Sequence, residues 1–188
     1  MSTVSRILTA VAALLLLTVF VFPLWRYDMG APQYPEGLAM TIWAHKVGGQ
    51  LPLVNQLNHY IGMKHIEPDS MAELKVIPWI VVGLIVSGLA VAVVGRFKAL
   101  VAWFVTFVVL GLAGLADFYW WLYDYGTHLS PEAPIQIPPF VPPLLGTNML
   151  ANFEISSYPD TAGWAAFLAG LLAFVAVVLE WRRQRGTA

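Results

Sequence analysis

Four long apolar runs dominate the chain, at residues 7–25, 76–94, 99–121 and 162–181, and polar residues collect between them. Neither the 3.6-residue period of an amphipathic helix nor the alternation of a half-buried strand organises these runs, so each reads as a segment apolar all round. At about 1.5 Å per residue each run approaches or exceeds the roughly 30 Å of a bilayer's hydrocarbon core. The pattern predicts an all-α integral membrane protein, one membrane domain over residues 1–188, with a four-helix transmembrane bundle. Arg6 ahead of the first run imitates a signal peptide, but no small-x-small cleavage site follows, so the run is expected to stay as an anchor. Gly83/Ser87 and Ala162/Ala166/Gly170 place small residues four apart, a spacing that allows close helix approach within the bundle or in an oligomer.

The two long connections, residues 26–75 and 122–161, are expected to form a cap of short helices and a proline-rich strap. A helix is predicted over 38–47, stopped by Gly48-Gly49, and a second short apolar stretch over 51–61 ends at Gly62. Ser70-Met71-Ala72-Glu73 fits a capping box, which starts the second spanning helix near Met71; Pro78 should then kink it. Six of the thirteen prolines fall between Pro131 and Pro143 and predict a stiff extended path.

Charge sets the expected orientation. Arg6, Arg96, Lys98, Arg182, Arg183 and Arg185 lie in the termini and the short second connection, whereas 26–75 and 122–161 carry nine of the eleven acidic residues and four of the ten basic ones. The positive-inside rule then puts both termini in the cytoplasm of a bacterial cell and the two long segments in the periplasm, making a multi-pass inner-membrane protein with lipid as its first partner. Composition agrees: 59% of residues are apolar, 11% charged, and mean hydropathy is +0.69. A net charge of −1 gives no field for nucleic acid. The lack of cysteine excludes disulfides, thiolate zinc sites and cysteine-held iron–sulfur clusters, and no histidine within a span is available for haem.

His45, His59, His65 and His128 all fall in the periplasmic segments. His59, Met63 and His65 put two imidazoles and a thioether close together, a donor set suited to copper when thiolates are missing; His128 is a further candidate. The same residues also fit surface histidines around cap-core methionines. At the end of the third run, Asp117, Trp121, Asp124 and His128 share one helical stripe if the helix persists past Gly126. Asp117 inside the outer leaflet needs a partner or a wet pocket. Arg26 and His128 are the candidates, so the residue serves either as a tie between helices or as a proton or metal group. No nucleophile–base triad or phosphate loop is recognisable, and the chain is not expected to be an enzyme.

The stretches Asp28-Met29-Gly30-Ala31-Pro32-Gln33-Tyr34-Pro35-Glu36-Gly37, Leu57-Asn58-His59-Tyr60-Ile61-Gly62-Met63, Asp117-Phe118-Tyr119, Tyr123-Asp124-Tyr125-Gly126 and Pro142-Pro143-Leu144-Leu145-Gly146 resemble a family of four-span inner-membrane proteins. That family is encoded beside nitrous oxide reductase and its copper-maturation proteins, and the likeness runs from the first span to Asn152-Phe153. It implies an accessory role in nitrous oxide respiration (denitrification): assembly, anchoring or copper loading of a periplasmic copper enzyme, in company with that enzyme or its maturation proteins. It transfers no ligand or catalytic residue. Two other readings stay open: a membrane interaction subunit without metal, and a quinol-linked electron-transfer subunit using Asp117 and Asp124.

Overall fold

A computed structural model describes residues 1–31, 34–150 and 153–186. Pro32 and Gln33 of the first family-like stretch and Asn152 at the end of the likeness lie outside them. Among the described residues five α-helices and five strands follow one another as α1 (Thr3–Leu15), β1 (Trp25–Ala31), β2 (Tyr34–Ile42), β3 (Val47–Gly49), α2 (Leu51–Ile61), α3 (Glu73–Val94), α4 (Phe97–Thr127), β4 (Gly146–Leu150), β5 (Phe153–Pro159) and α5 (Thr161–Gly186). Four helical stretches among the described residues are long and apolar enough to cross a membrane: Thr3–Phe20, Glu73–Val94, Phe97–Thr127 and Thr161–Arg185.

The expected all-α class is wrong. The connections between α1 and α3 and between α4 and α5 meet in a five-stranded antiparallel sheet of order β3-β2-β1-β5-β4, so the fold is mixed α/β. Its centre is the long-range pair β1–β5, with Tyr27 opposite Ser157 and Asp28 opposite Ser156. That pair fastens the two connections to each other at one end of the bundle, while the short turn at Gly95-Arg96 closes the other end. The helix predicted over 38–47 is the β2–β3 hairpin. Leu38 and Met40 are buried at strand period while their neighbours are not, and β-branched Thr41 and Ile42 favour the pleat. Gly49 stops no helix; its φ of 88° lets it sit against the Ala39 carbonyl, where a Cβ would overlap.

Several boundaries move for physical reasons. Helix α1 tightens into a 3-10 turn over Leu16–Phe20 and stops before Pro23, and Trp25, expected to close the first span, opens β1. The carbonyls of Pro23 and Leu24 accept from Ala162 N (3.0 Å) and Asp160 N (3.0 Å), which serves the orphan donors at the start of α5. The capping box does not form: Ser70 donates its hydroxyl to Glu67 O, and α3 starts at Glu73 without a side-chain cap. Pro78 lies within α3. Helix α4 does not stop at Gly126 but runs to Thr127.

Within the bundle α1 packs against α3 and α5, and α4 against α3 and α5. Ala12, Ala13, Ala169, Ala173 and Ala176 let α1 and α5 approach closely, and Leu84, Leu100 and Trp103 fill the remaining space. Ala166 and Gly170 take part in this packing, Gly170 against Phe107. Gly83 and Ser87 do not; the close approach on α3 falls at Gly88, against Ala13 and the Trp103 ring, whose Nε1 donates to Leu84 O at 2.9 Å. At the end away from the sheet, the Arg6 guanidinium donates to the Ala92 and Val93 carbonyls, and Ser2 N donates to buried Glu180.

Candidate functional site

The sheet has two chemically different faces because β1 alternates. Tyr27 and Met29 point to the bundle side, joined from β2 and β5 by Met40, Ile42 and Ile155, while Arg26, Asp28 and Glu154 point away. Helix α2 lies across the bundle side with Val54, Leu57 and Ile61 inward. It starts with Pro52 in its first turn and ends at Gly62 in the left-handed conformation (φ 81°), which suits each residue to its place. Phe118, Trp121 and Leu122 rise from α4 to meet it. Between these elements lies an apolar cavity of about 180 Å³.

The proline-rich strap closes this chamber along a path set by hydrogen bonds at each turn. Ser130 N donates to Gly62 O (2.8 Å), Ile135 N to Tyr60 O (2.9 Å) and Phe140 N to Gly126 O (3.0 Å). Tyr27 then donates its hydroxyl to Pro143 O at 2.6 Å, and Ser157 donates to Leu144 O at 2.8 Å. Gly126 is needed there: the Phe140 carbonyl rests where its Cβ would be. Burial drives the Tyr27 phenol up to about 12, offset in part by a hydrogen bond with Ser157.

Methionine gives the wall its character. Met29, Met40, Met63 and Met71, four of the six in the chain, line the chamber. The oxygen- or amide-bearing side chains on the wall are committed to the backbone: Tyr27 to Pro143 O, Asn58 to Lys64 O (3.4 Å) and Tyr125 to His65 O (3.2 Å).

The structure divides the predicted copper ligands. His59 and His65 stand together and exposed, ring centroids 6.2 Å apart at 82°, whereas Met63 joins the cavity wall. His128 belongs to another cluster, where its Nδ1 approaches Asp124 Oδ1 at 3.0 Å and Lys64 Nζ holds Asp124 Oδ2 at 2.7 Å. That cluster ties the end of α4 to the α2–α3 connection. His45 packs on Trp43 in the β2–β3 turn. Among the described residues no three His, Asp or Glu side chains gather as a metal shell.

The expected Arg26–Asp117 tie is absent. Arg26 lies in β1 instead of ending a helix, and it pairs with Asp28 at 2.8 Å on the exposed face; the hydrogen bond to Asp28 holds its pKa above the ordinary value. Asp117 has Glu73 within electrostatic reach, and Glu73 Oε2 is buried without a hydrogen-bond partner. Asp117, Trp121, Asp124 and His128 do share a stripe, but Trp121 lines the cavity, Asp124 and His128 join Lys64, and Asp117 belongs to neither group.

On the outward face of the sheet, Asp28, Glu36 and Glu154 with Arg26, Gln50 and Ser156 border a polar cleft of about 450 Å³. The sequence reading missed the cavity, although the alternating Tyr27/Met29 and Met40/Ile42 pairs carried its signal. Comparison with protein-family models and with curated proteins finds no match, so these residues alone carry the functional argument.

Proposed function

We propose that this chain is a non-catalytic accessory protein of the bacterial inner membrane, whose cap serves a periplasmic copper enzyme or its maturation proteins, in nitrous oxide respiration. The observation that carries the reading is the exposed His59–His65 pair. Two imidazoles offer a copper ion part of a shell and leave positions open for a partner's ligands, an arrangement suited to handing a metal on rather than sequestering it. The acidic outward face of the sheet adds a charged docking surface elsewhere on the cap. Arg96, Lys98, Arg182, Arg183 and Arg185 lie at the bundle end away from the sheet, which supports cytoplasmic termini and a periplasmic cap.

Copper titration of the purified full chain tests this. Stoichiometric binding lost in His59→Ala/His65→Ala supports it, whereas binding that is absent, or unchanged in that variant, overturns the metal role. The second reading, docking without metal, would then stand on the Asp28, Glu36 and Glu154 face. Its own test is partner capture weakened by charge reversal there.

A further inference from the structure

The cavity is a separate feature from the imidazole pair, and its chemistry selects a different ligand. Its walls expose side-chain carbon and thioether sulfur, and the hydroxyl and amide groups of Tyr27, Asn58 and Tyr125 already donate to backbone carbonyls. A ligand with a polar group inside would forfeit that group's hydrogen bonds to water against a wall that is almost entirely apolar. The buried part of the occupant is therefore hydrocarbon.

Shape and place narrow it further. At about 180 Å³ the space exceeds the roughly 150 Å³ engineered apolar cavity that stays dry and takes up benzene, so it holds a stretch of chain and not a whole lipid. Four methionines on the wall supply unbranched, adaptable side chains, which suit an occupant without a fixed shape. Leu74, Phe118, Trp121 and Leu122 on the same wall belong to Glu73–Val94 and Phe97–Thr127, two of the stretches long and apolar enough to cross a membrane. The wall thus continues from the cap onto the helices that the bilayer surrounds.

We propose that the cavity binds the hydrocarbon tail of a lipid drawn from the surrounding bilayer, its headgroup left outside. This does not depend on the copper reading and survives its failure.

Photolabelling tests it. The full chain is reconstituted into vesicles of phosphatidylethanolamine and phosphatidylglycerol with a trace of phosphatidylcholine bearing a diazirine at the end of one acyl chain. It is then irradiated and its peptides are mapped. Adducts are expected on the cap, within residues 51–71 and around Met40, in addition to those on the spanning helices. Leu57→Trp, which fills the cavity from α2, should lower the cap adducts by about tenfold or more and leave the span adducts unchanged. Met71→Trp fills it from outside α2 and should do the same, which guards against one variant failing to fold. Adducts confined to the spanning helices of the wild type overturn the proposal. So do cap adducts that persist undiminished in both filled variants.

Discussion

Gly126→Ala adds one methyl group at the point where the strap is fastened to α4. The new Cβ would overlap the Phe140 carbonyl oxygen and lie 2.9 Å from Pro142 Cδ and 3.0 Å from the Phe140 carbonyl carbon. The obstacle is backbone and proline ring, which cannot rotate aside, so the strap must lift. Lifting it strains the Phe140 N to Gly126 O hydrogen bond, worth about 0.5–1.5 kcal/mol, and overpacking of this kind costs about 1–3 kcal/mol. Against this, alanine gains about 1 kcal/mol of helix propensity over glycine. The net expectation is a loss of about 1–3 kcal/mol, or several degrees of melting temperature for a chain of this size. Gly111 and Gly114 on the same helix have nothing within 4 Å of an added Cβ, so Gly111→Ala and Gly114→Ala should be neutral or stabilising. Thermal unfolding in detergent micelles, with limited proteolysis across 129–145, measures both effects. Gly126→Ala melting with or above Gly114→Ala, its strap equally resistant to protease, would refute the reasoning.

Two further outcomes follow from the packing. Gly88→Val should cost at least about 2 kcal/mol, because its Cβ would sit 2.7 Å from the Trp103 ring and 2.8 Å from Ala13, whereas Gly83→Val faces open space and should change little; unfolding of the pair shows whether they differ. The neutral Tyr27 phenol is favoured in the fold, with its pKa raised from about 10 to about 12, so stability intact below pH 10 should fall by about 2–3 kcal/mol as pH rises to 12. Tyr27→Phe lacks this dependence, and parallel pH profiles of the two proteins would contradict the assignment.

The helices long and apolar enough to cross a membrane were legible because a bilayer requires long unbroken apolar runs, which the sequence displays directly. The bounds of α2 were legible too, as a short apolar stretch ended by Gly62, where a left-handed residue is required. The sheet was not. Its central pairing joins Trp25–Ala31 to Phe153–Pro159 across most of the chain, and long-range strand pairing leaves no local signature. The hairpin at Leu38–Val47 was obscured because Gly48-Gly49 fits both a helix stop and a tight strand approach. Met40 and Ile42 tilt the choice only once β1 lies beside them. The candidate site followed the same division. The closeness of His59 to His65 was readable from spacing along one helix and the turn after it, whereas the turn of Met63 into a chamber with Met29, Met40 and Met71 depends on strands that the sequence did not announce.

The central claim is that the two long connections form one sheet at one end of the bundle, and a disulfide tests it directly because the chain has no cysteine of its own. Asp28 and Ser156 face each other across β1 and β5. Directly paired antiparallel residues have Cα atoms about 4.5–5.5 Å apart, within reach of a disulfide, whereas diagonal neighbours two residues off lie about 7–8 Å apart, at or beyond its limit. Mild oxidation in membranes should therefore cross-link Asp28→Cys/Ser156→Cys readily and Asp28→Cys/Glu154→Cys poorly. Failure of the first pair, or equal cross-linking of both, would contradict the sheet and the cap built on it.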